Sequence, residues 1–238
     1  MKIIVISLKR SIERRKRIEK QLTDQGLPFE FFDAIDASEK EFLHSDRANN
    51  KVTYKRKGYY LLTSEIACFS SHFEIWKKCI FLNEPMIILE DNVDINSDFH
   101  HMIKPLADLM KKYNYIKLSA TYKSNFKLID NPTLPEPYKL VKYFKPTCGT
   151  TAYIISPDAA QKLLTNAEQF LEPVDNYIDK PWNHGVKYVN IFPDLFTRAQ
   201  IKTTISKNRK RKLKINIIHK AYIEIYRLKN QILNLIYK

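Results

Sequence analysis

Pro85-Met86-Ile87-Ile88-Leu89-Glu90-Asp91-Asn92-Val93-Asp94 decides how this chain is read. A continuous apolar run of strand length stops abruptly in a cluster of acids. Such a run suits a strand buried on both faces, as in a sheet covered by helices on each side. In an open α/β sheet, ligands bind beyond the carboxyl ends of the strands, which is where this run places Glu90, Asp91 and Asp94. Hard oxygen ligands so arranged suit Mg²⁺ or Mn²⁺, which would grip a diphosphate. The bland alternative is an acidic turn that caps the following helix.

Outward from this stretch, strands and helices alternate. Lys2–Leu8 reads as a first strand and leads into a basic helix, with Ser11 as cap and Gly26 as stop. Phe29–Ile35 reads as a second strand. Residues 38–60 are polar and basic with little periodicity, so a long loop is expected. From Thr63 or Ser64, Ile66, Phe69, Phe73, Trp76 and Ile80 recur at helical spacing and mark a buried face. A helix near 98–113 and strands near 115–119 and 139–144 follow. The strand Thr150–Ile155 runs through Ser156-Pro157 into a helix over 158–167, with the cap and first-turn proline expected there. Val186–Ile191 reads as the last core strand. This order predicts an α/β sandwich with a mostly parallel central sheet.

The 238-residue chain carries +14, yet the last 37 residues hold ten of those charges. Eleven Lys and Arg from Lys202 to Lys238 face one acid, Glu224. Within this tail the basic run Ser206–Lys212 precedes Ile218, Tyr222, Ile225, Ile232 and Leu235, which align on one helical face. A basic segment joined to an amphipathic helix is the pattern of a membrane surface anchor, drawn by anionic headgroups. Residues 1–201 are therefore expected to form a catalytic domain and residues 202–238 a basic amphipathic tail. Nucleic acid is not an expected partner, because the basic run lacks the interleaved aromatics of such surfaces. Three cysteines without a CxxC pair speak for reduced thiols. No apolar run approaches a spanning helix, and the apolar start is too short for a signal peptide. A cytoplasmic protein, peripheral on the inner membrane, is the expectation.

Five ordered blocks resemble one family. They are Val5-Ile6-Ser7-Leu8 with Arg10; Ser64-Glu65-Ile66-Ala67-Cys68-Phe69-Ser70-Ser71-His72 with Trp76; Ile88-Leu89-Glu90-Asp91-Asn92; Gly149 to Ser156 with Ala159, Ala160, Leu163 and Leu164; and Pro173-Val174-Asp175 with the closing Pro193 to Gln200. Together they resemble glycosyltransferase family 25, the bacterial lipooligosaccharide galactosyltransferases, over about residues 2–200. The resemblance implies a GT-A-like, Rossmann-type nucleotide-binding fold, a UDP-hexose donor (UDP-galactose before UDP-glucose), Mn²⁺ or Mg²⁺, inversion at the anomeric carbon and a lipooligosaccharide core acceptor. It places Ser7, Arg10, Glu65, Ser71, His72, Glu90, Gly149 and Thr150 around the donor. The family's Glu-Asp-Asp falls on Glu90-Asp91-Asn92, so the metal set becomes Asp91, Asn92 and Asp94, with an amide where an acid is usual. Inverting transfer needs a base for the acceptor hydroxyl. Asp175 matches the family's Pro-x-Asp position, Asp179 stands in reserve, and His184 is a lesser candidate ligand. The Asn92 departure leaves open a second reading, a nucleotide-sugar-binding protein with impaired turnover.

Overall fold

In the computed structural model, which describes residues 1–130, 133–201 and 215–237, one eight-stranded sheet organises the chain. Its strands are β1 (Lys2–Ser7), β2 (Glu30–Asp33), β3 (Met86–Glu90), β5 (Tyr115–Lys117), β6 (Phe126–Ile129), β7 (Lys139–Tyr143), β8 (Ala152–Ile155) and β9 (Val189–Phe192), in the order β2-β1-β3-β8-β5-β9-β7-β6. Pairing is parallel for β2-β1-β3 and for β5-β9, and antiparallel at β3-β8, β8-β5, β9-β7 and β7-β6. Six of the eight strands thus point one way, and only β7 and β8 run against them. A separate two-stranded ribbon joins β4 (Val93–Ile95) to β10 (Phe196–Arg198).

Helices cover both faces because the central strands are apolar on both faces. Ile4 and Ile6 of β1 pack toward α3 (Thr63–Leu82) and α5 (Pro157–Thr165), whereas Ile3 and Val5 pack toward α1 (Ile12–Asp24) and α4 (Phe99–Leu109). The short α6 (Val174–Ile178) joins the first of these layers through Val174, Tyr177 and Ile178, and α7 (Pro181–His184) follows it. Trp76 is fully buried in α3 and donates its indole N–H to the Tyr153 hydroxyl at 3.1 Å. At α5 the expected start is present: Ser156 Oγ accepts the Ala159 N–H, and Pro157 opens the helix. Ser11 does occupy the N-cap position of α1, but its hydroxyl accepts no helical N–H.

The segment 38–60 departs from the loop expectation. It contains a 3₁₀ turn over Ser45–Arg47 and the helix α2 (Asn50–Lys57). Asn49 caps α2 by accepting the Val52 N–H, and Gly58 ends it at φ 75°. No apolar stripe announces α2 because its anchors are polar: the buried Thr53 hydroxyl lies 3.0 Å from the Leu171 carbonyl, and Lys57 pairs with Glu172. The strand β6 also escaped the periodicity, since it is a half-exposed edge with the burial of neither alternation nor a solid run.

The tail helix α8 (Ile217–Ile236) lies against α2, with Ile223 buried and the His219 ring 3.0 Å from the Tyr54 carbonyl. Its far side leaves Ile217, Ile218, Ile225, Leu228, Ile232, Leu235 and Ile236 exposed. The basic run Ser206–Lys212 lies outside the described residues. Among the described residues no helix is long and apolar enough to cross a membrane.

Candidate active site

The order β2-β1-β3 creates the site. The chain leaves β1 through α1 to reach β2 on one side, then crosses through α2 and α3 to β3 on the other. Connections that diverge this way open a crevice at the carboxyl ends of the two middle strands. A cleft of about 180 Å³ is found there, walled by the ends of β1 and β3, the loop after β2 and the first half of α3. A backbone bond of 3.2 Å from the Asp91 N–H to the Ile6 carbonyl ties the two strand ends together.

Asp91 is the polar centre of this cleft. It is 6% exposed and accepts the Ser7 hydroxyl at 2.7 Å and an Arg14 N–H at 3.2 Å. Arg14 was not among the residues singled out from sequence, although a signal existed. Arg14, Ile18 and Leu22 are spaced four apart, so the arginine heads the same α1 face whose apolar members are buried. Arg10 pairs in a fork with Asp36, at 2.6 and 2.9 Å, and holds that carboxyl below the usual range. Glu90 accepts the Thr150 hydroxyl at 2.7 Å. Burial pushes its carboxyl up, opposed by Thr150 and by the charge of Arg198. Arg198 reaches the cleft from β10, the partner of β4, a placement that nothing local in the chain foretells.

The cleft therefore gathers Ser7, Arg10, Ser71, His72, Glu90, Asp91 and Asn92 from the expected set, and adds Arg14, Asp36 and Arg198. Ser71 Oγ accepts the Ile35 N–H at 2.9 Å and so fixes the β2 loop to α3. His72 is buried against the Tyr153 hydroxyl at 2.8 Å, and burial pushes its pKa down to about 3, so it stays neutral near pH 7. Other expected residues fall outside the lining. Glu65 caps α3 by accepting the Leu62 N–H. Thr150 stands behind Glu90, and Gly149 is packed at φ 79° where a Cβ would clash with Thr121 Oγ1. Asp94 is half-exposed on β4 and paired with Arg17. Asp179 is 3% exposed, locked to the buried Lys117, and accepts the Cys148 N–H at 2.7 Å. A carboxylate whose two oxygens are engaged in this way is closed to an acceptor hydroxyl. Asp175, at the start of α6, is partly exposed and accepts the Asn176 N–H, while its charge reaches the Cys148 thiol. His184 is buried, bonded to the Val186 N–H just beyond α7 and to the Tyr177 carbonyl of α6, and does not line the cleft.

Among the described residues no cluster of three or more His, Cys, Asp or Glu is arranged to hold a metal. One observation nevertheless suits a cation beside Asp91. Asn92 Oδ1 is buried in the cleft wall without a hydrogen-bond partner, and a buried carbonyl oxygen left bare is costly.

The sequence matches the family model described as "Glycosyltransferase family 25 (LPS biosynthesis protein)" over residues 1–178. The chain belongs to that family. A lipooligosaccharide biosynthesis protein of Haemophilus influenzae, lic2B, is 30% identical over 166 residues, 67% of this chain and 60% of that protein. A glycosyltransferase 25 family member of Aedes aegypti is 28% identical over 203 residues, 80% of this chain and 32% of that one. The human procollagen galactosyltransferase 2 is 27% identical over 192 residues, 76% of this chain and 30% of its own length. The matched region thus spans under two thirds of these relatives.

Proposed function

We propose that this protein transfers a hexose, galactose in first place, from a UDP-sugar to a lipooligosaccharide or lipopolysaccharide glycan, with inversion, at the inner face of the membrane. The observation that carries the reading is the cleft at the β1–β3 strand ends, where Ser7 and Arg14 orient Asp91 and three arginines face the space for a diphosphate. The galactose assignment leans on the name of the procollagen relative, and the acceptor on that of the Haemophilus relative.

In this reading Arg10, Arg14 and Arg198 bind the diphosphate through charge-assisted hydrogen bonds, and the Ala34–Ala37 loop takes the nucleoside. Asp91 and Asn92 Oδ1 would hold Mn²⁺ or Mg²⁺, while Asp94 pairs with Arg17 away from the cleft lining. Such an ion supplies charge neutralisation on the departing diphosphate. Asp175 removes the proton of the acceptor hydroxyl as its oxygen bonds to the anomeric carbon and the bond to UDP breaks. The neutral imidazole of His72 adds no charge to its part of the cleft wall. The exposed apolar side of α8 supports the peripheral membrane placement, because α2 covers only the side that carries Ile223 and His219 and leaves that stripe open.

The test is calorimetric binding of UDP to the purified full chain, with and without Mn²⁺, beside Asp91→Asn and Asp94→Asn. Mn²⁺-dependent binding that is lost in Asp91→Asn and kept in Asp94→Asn is the expected result. Absence of UDP binding under every condition would remove the transfer reading and favour a role of the fold without a nucleotide. UDP binding without turnover of any UDP-hexose would favour the impaired binding protein that Asn92 suggests.

A further inference from the structure

The seam where α8 meets the body has a chemistry unlike that of the cleft. Two adjoining cavities, of about 310 and 270 Å³, share Arg56, Tyr226 and Asn230 as a common wall, and neither shares a residue with the cleft. At roughly 30 Å³ per water, each has room for more than a few solvent molecules. Glu172 is the one acid among their described lining residues, and it is already saturated. Lys57 reaches it at 2.5 Å, and Lys180 reaches its two oxygens at 2.8 and 2.5 Å. Burial, then the neighbouring Lys57 and Arg56, pull the Lys180 amine down against the attraction of Glu172, as expected where cations outnumber acids. Arg56 lies over the Tyr226 ring, 5.5 Å from its centroid, and Lys229 lines the same cavity. No carboxylate of the described lining remains for either cation.

The rest of the larger cavity is neither a plain charge patch nor an apolar groove. Trp182 and Tyr226 line it with aromatic rings, and Asn166 and Asn183 with amides. Flat rings pack against the C–H face of a pyranose, and amides bond to its hydroxyls. A guanidinium forks onto a carboxylate or phosphate. A neutral sugar would leave Arg56 and Lys229 uncompensated, and a bare phosphate would leave the rings and amides unused.

We propose that the α2–α8 seam is a second carbohydrate site, for a sugar bearing a carboxylate or phosphate, with Trp182 against the ring and Arg56 and Lys229 on the acid group. The site goes beyond the transfer reading and uses none of its residues. Because its wall is the docked side of α8, it exists only while that helix is seated on α2.

Intrinsic fluorescence of the full chain tests this, since Trp76 is sealed in the core and Trp182 is the partly exposed reporter. Glucose 6-phosphate and galacturonic acid are the probes, against galactose and inorganic phosphate. The expected result is a saturable change with both acid sugars at concentrations about ten-fold or more below those needed for either control. Arg56→Gln and, separately, the exposed Lys229→Gln should each weaken it by about ten-fold, with UDP binding unchanged. Equal binding of phosphate or galactose, no saturable change, or full binding in both variants would overturn the proposal. UDP binding on the same samples separates its failure from that of the donor site.

Discussion

Asn92 is the residue on which the proposed metal site turns. Its oxygen is buried and bare, whereas the oxygens of the preceding Asp91 are engaged by Ser7 and Arg14. Asn92→Asp should add a negative charge beside Asp91 and tighten Mn²⁺ by about ten-fold or more, read as a shift in the Mn²⁺ concentration that supports UDP binding. No shift would place the metal elsewhere. Asp175 belongs to the same scale. Asp175→Asn should lower kcat by about 10²–10⁴ with UDP affinity retained, as measured by turnover and calorimetry side by side. An unchanged kcat would remove Asp175 as the base, and Asp179 could not replace it without first releasing Lys117.

The elements make their own predictions, and α8 makes the plainest. One side is held on α2 by Ile223 and His219, while seven apolar side chains of the other side meet solvent. Each Ile or Leu that sinks into a bilayer interface gains up to about 1.5–3 kcal/mol, so the stripe outweighs any single charge pair on the helix. Ile225→Asp with Ile232→Asp should abolish sedimentation with anionic phosphatidylglycerol vesicles and leave UDP binding intact. Sedimentation equal to that of the unmodified chain would refute the membrane role of the helix. The contrast with α2 is instructive. Amphipathic α8 was legible because its exposed stripe is periodic, whereas α2 was not, because Thr53, Lys57 and the Asn49 cap bind it through polar atoms.

At the scale of the whole molecule, the buried triad of Lys57, Glu172 and Lys180 joins α2 to the segment before α6 and underlies the α8 seam. Burial alone would raise the Glu172 carboxyl, but its two lysines outweigh burial and hold it below the ordinary 4.5. The folded value is depressed, so the stabilisation is present above pH 4.5 and is lost as pH falls through the folded pKa. Glu172→Gln should therefore flatten the acid limb of a thermal-denaturation series. At pH 7 it should cost about 3–5 kcal/mol, because two buried lysines lose their counter-charge. An unaltered acid limb would show that the triad contributes nothing to folding.

The sequence by itself determined the alternation of strands and helices, the apolar β3 that ends in acids, the helical α3 core face and the family. These are local properties: burial on one face or two writes a period into consecutive residues. Only the tertiary structure decided which charges face one another. It brought Arg14 to Asp91, 77 residues away, and Lys117 to Asp179, 62 residues away. It also turned Asp94 toward Arg17 and carried Arg198 into the cleft on β10. An ion pair needs two side chains to meet in space and imposes no period on either segment, so partners chosen by strand order and crossover leave no trace along the chain.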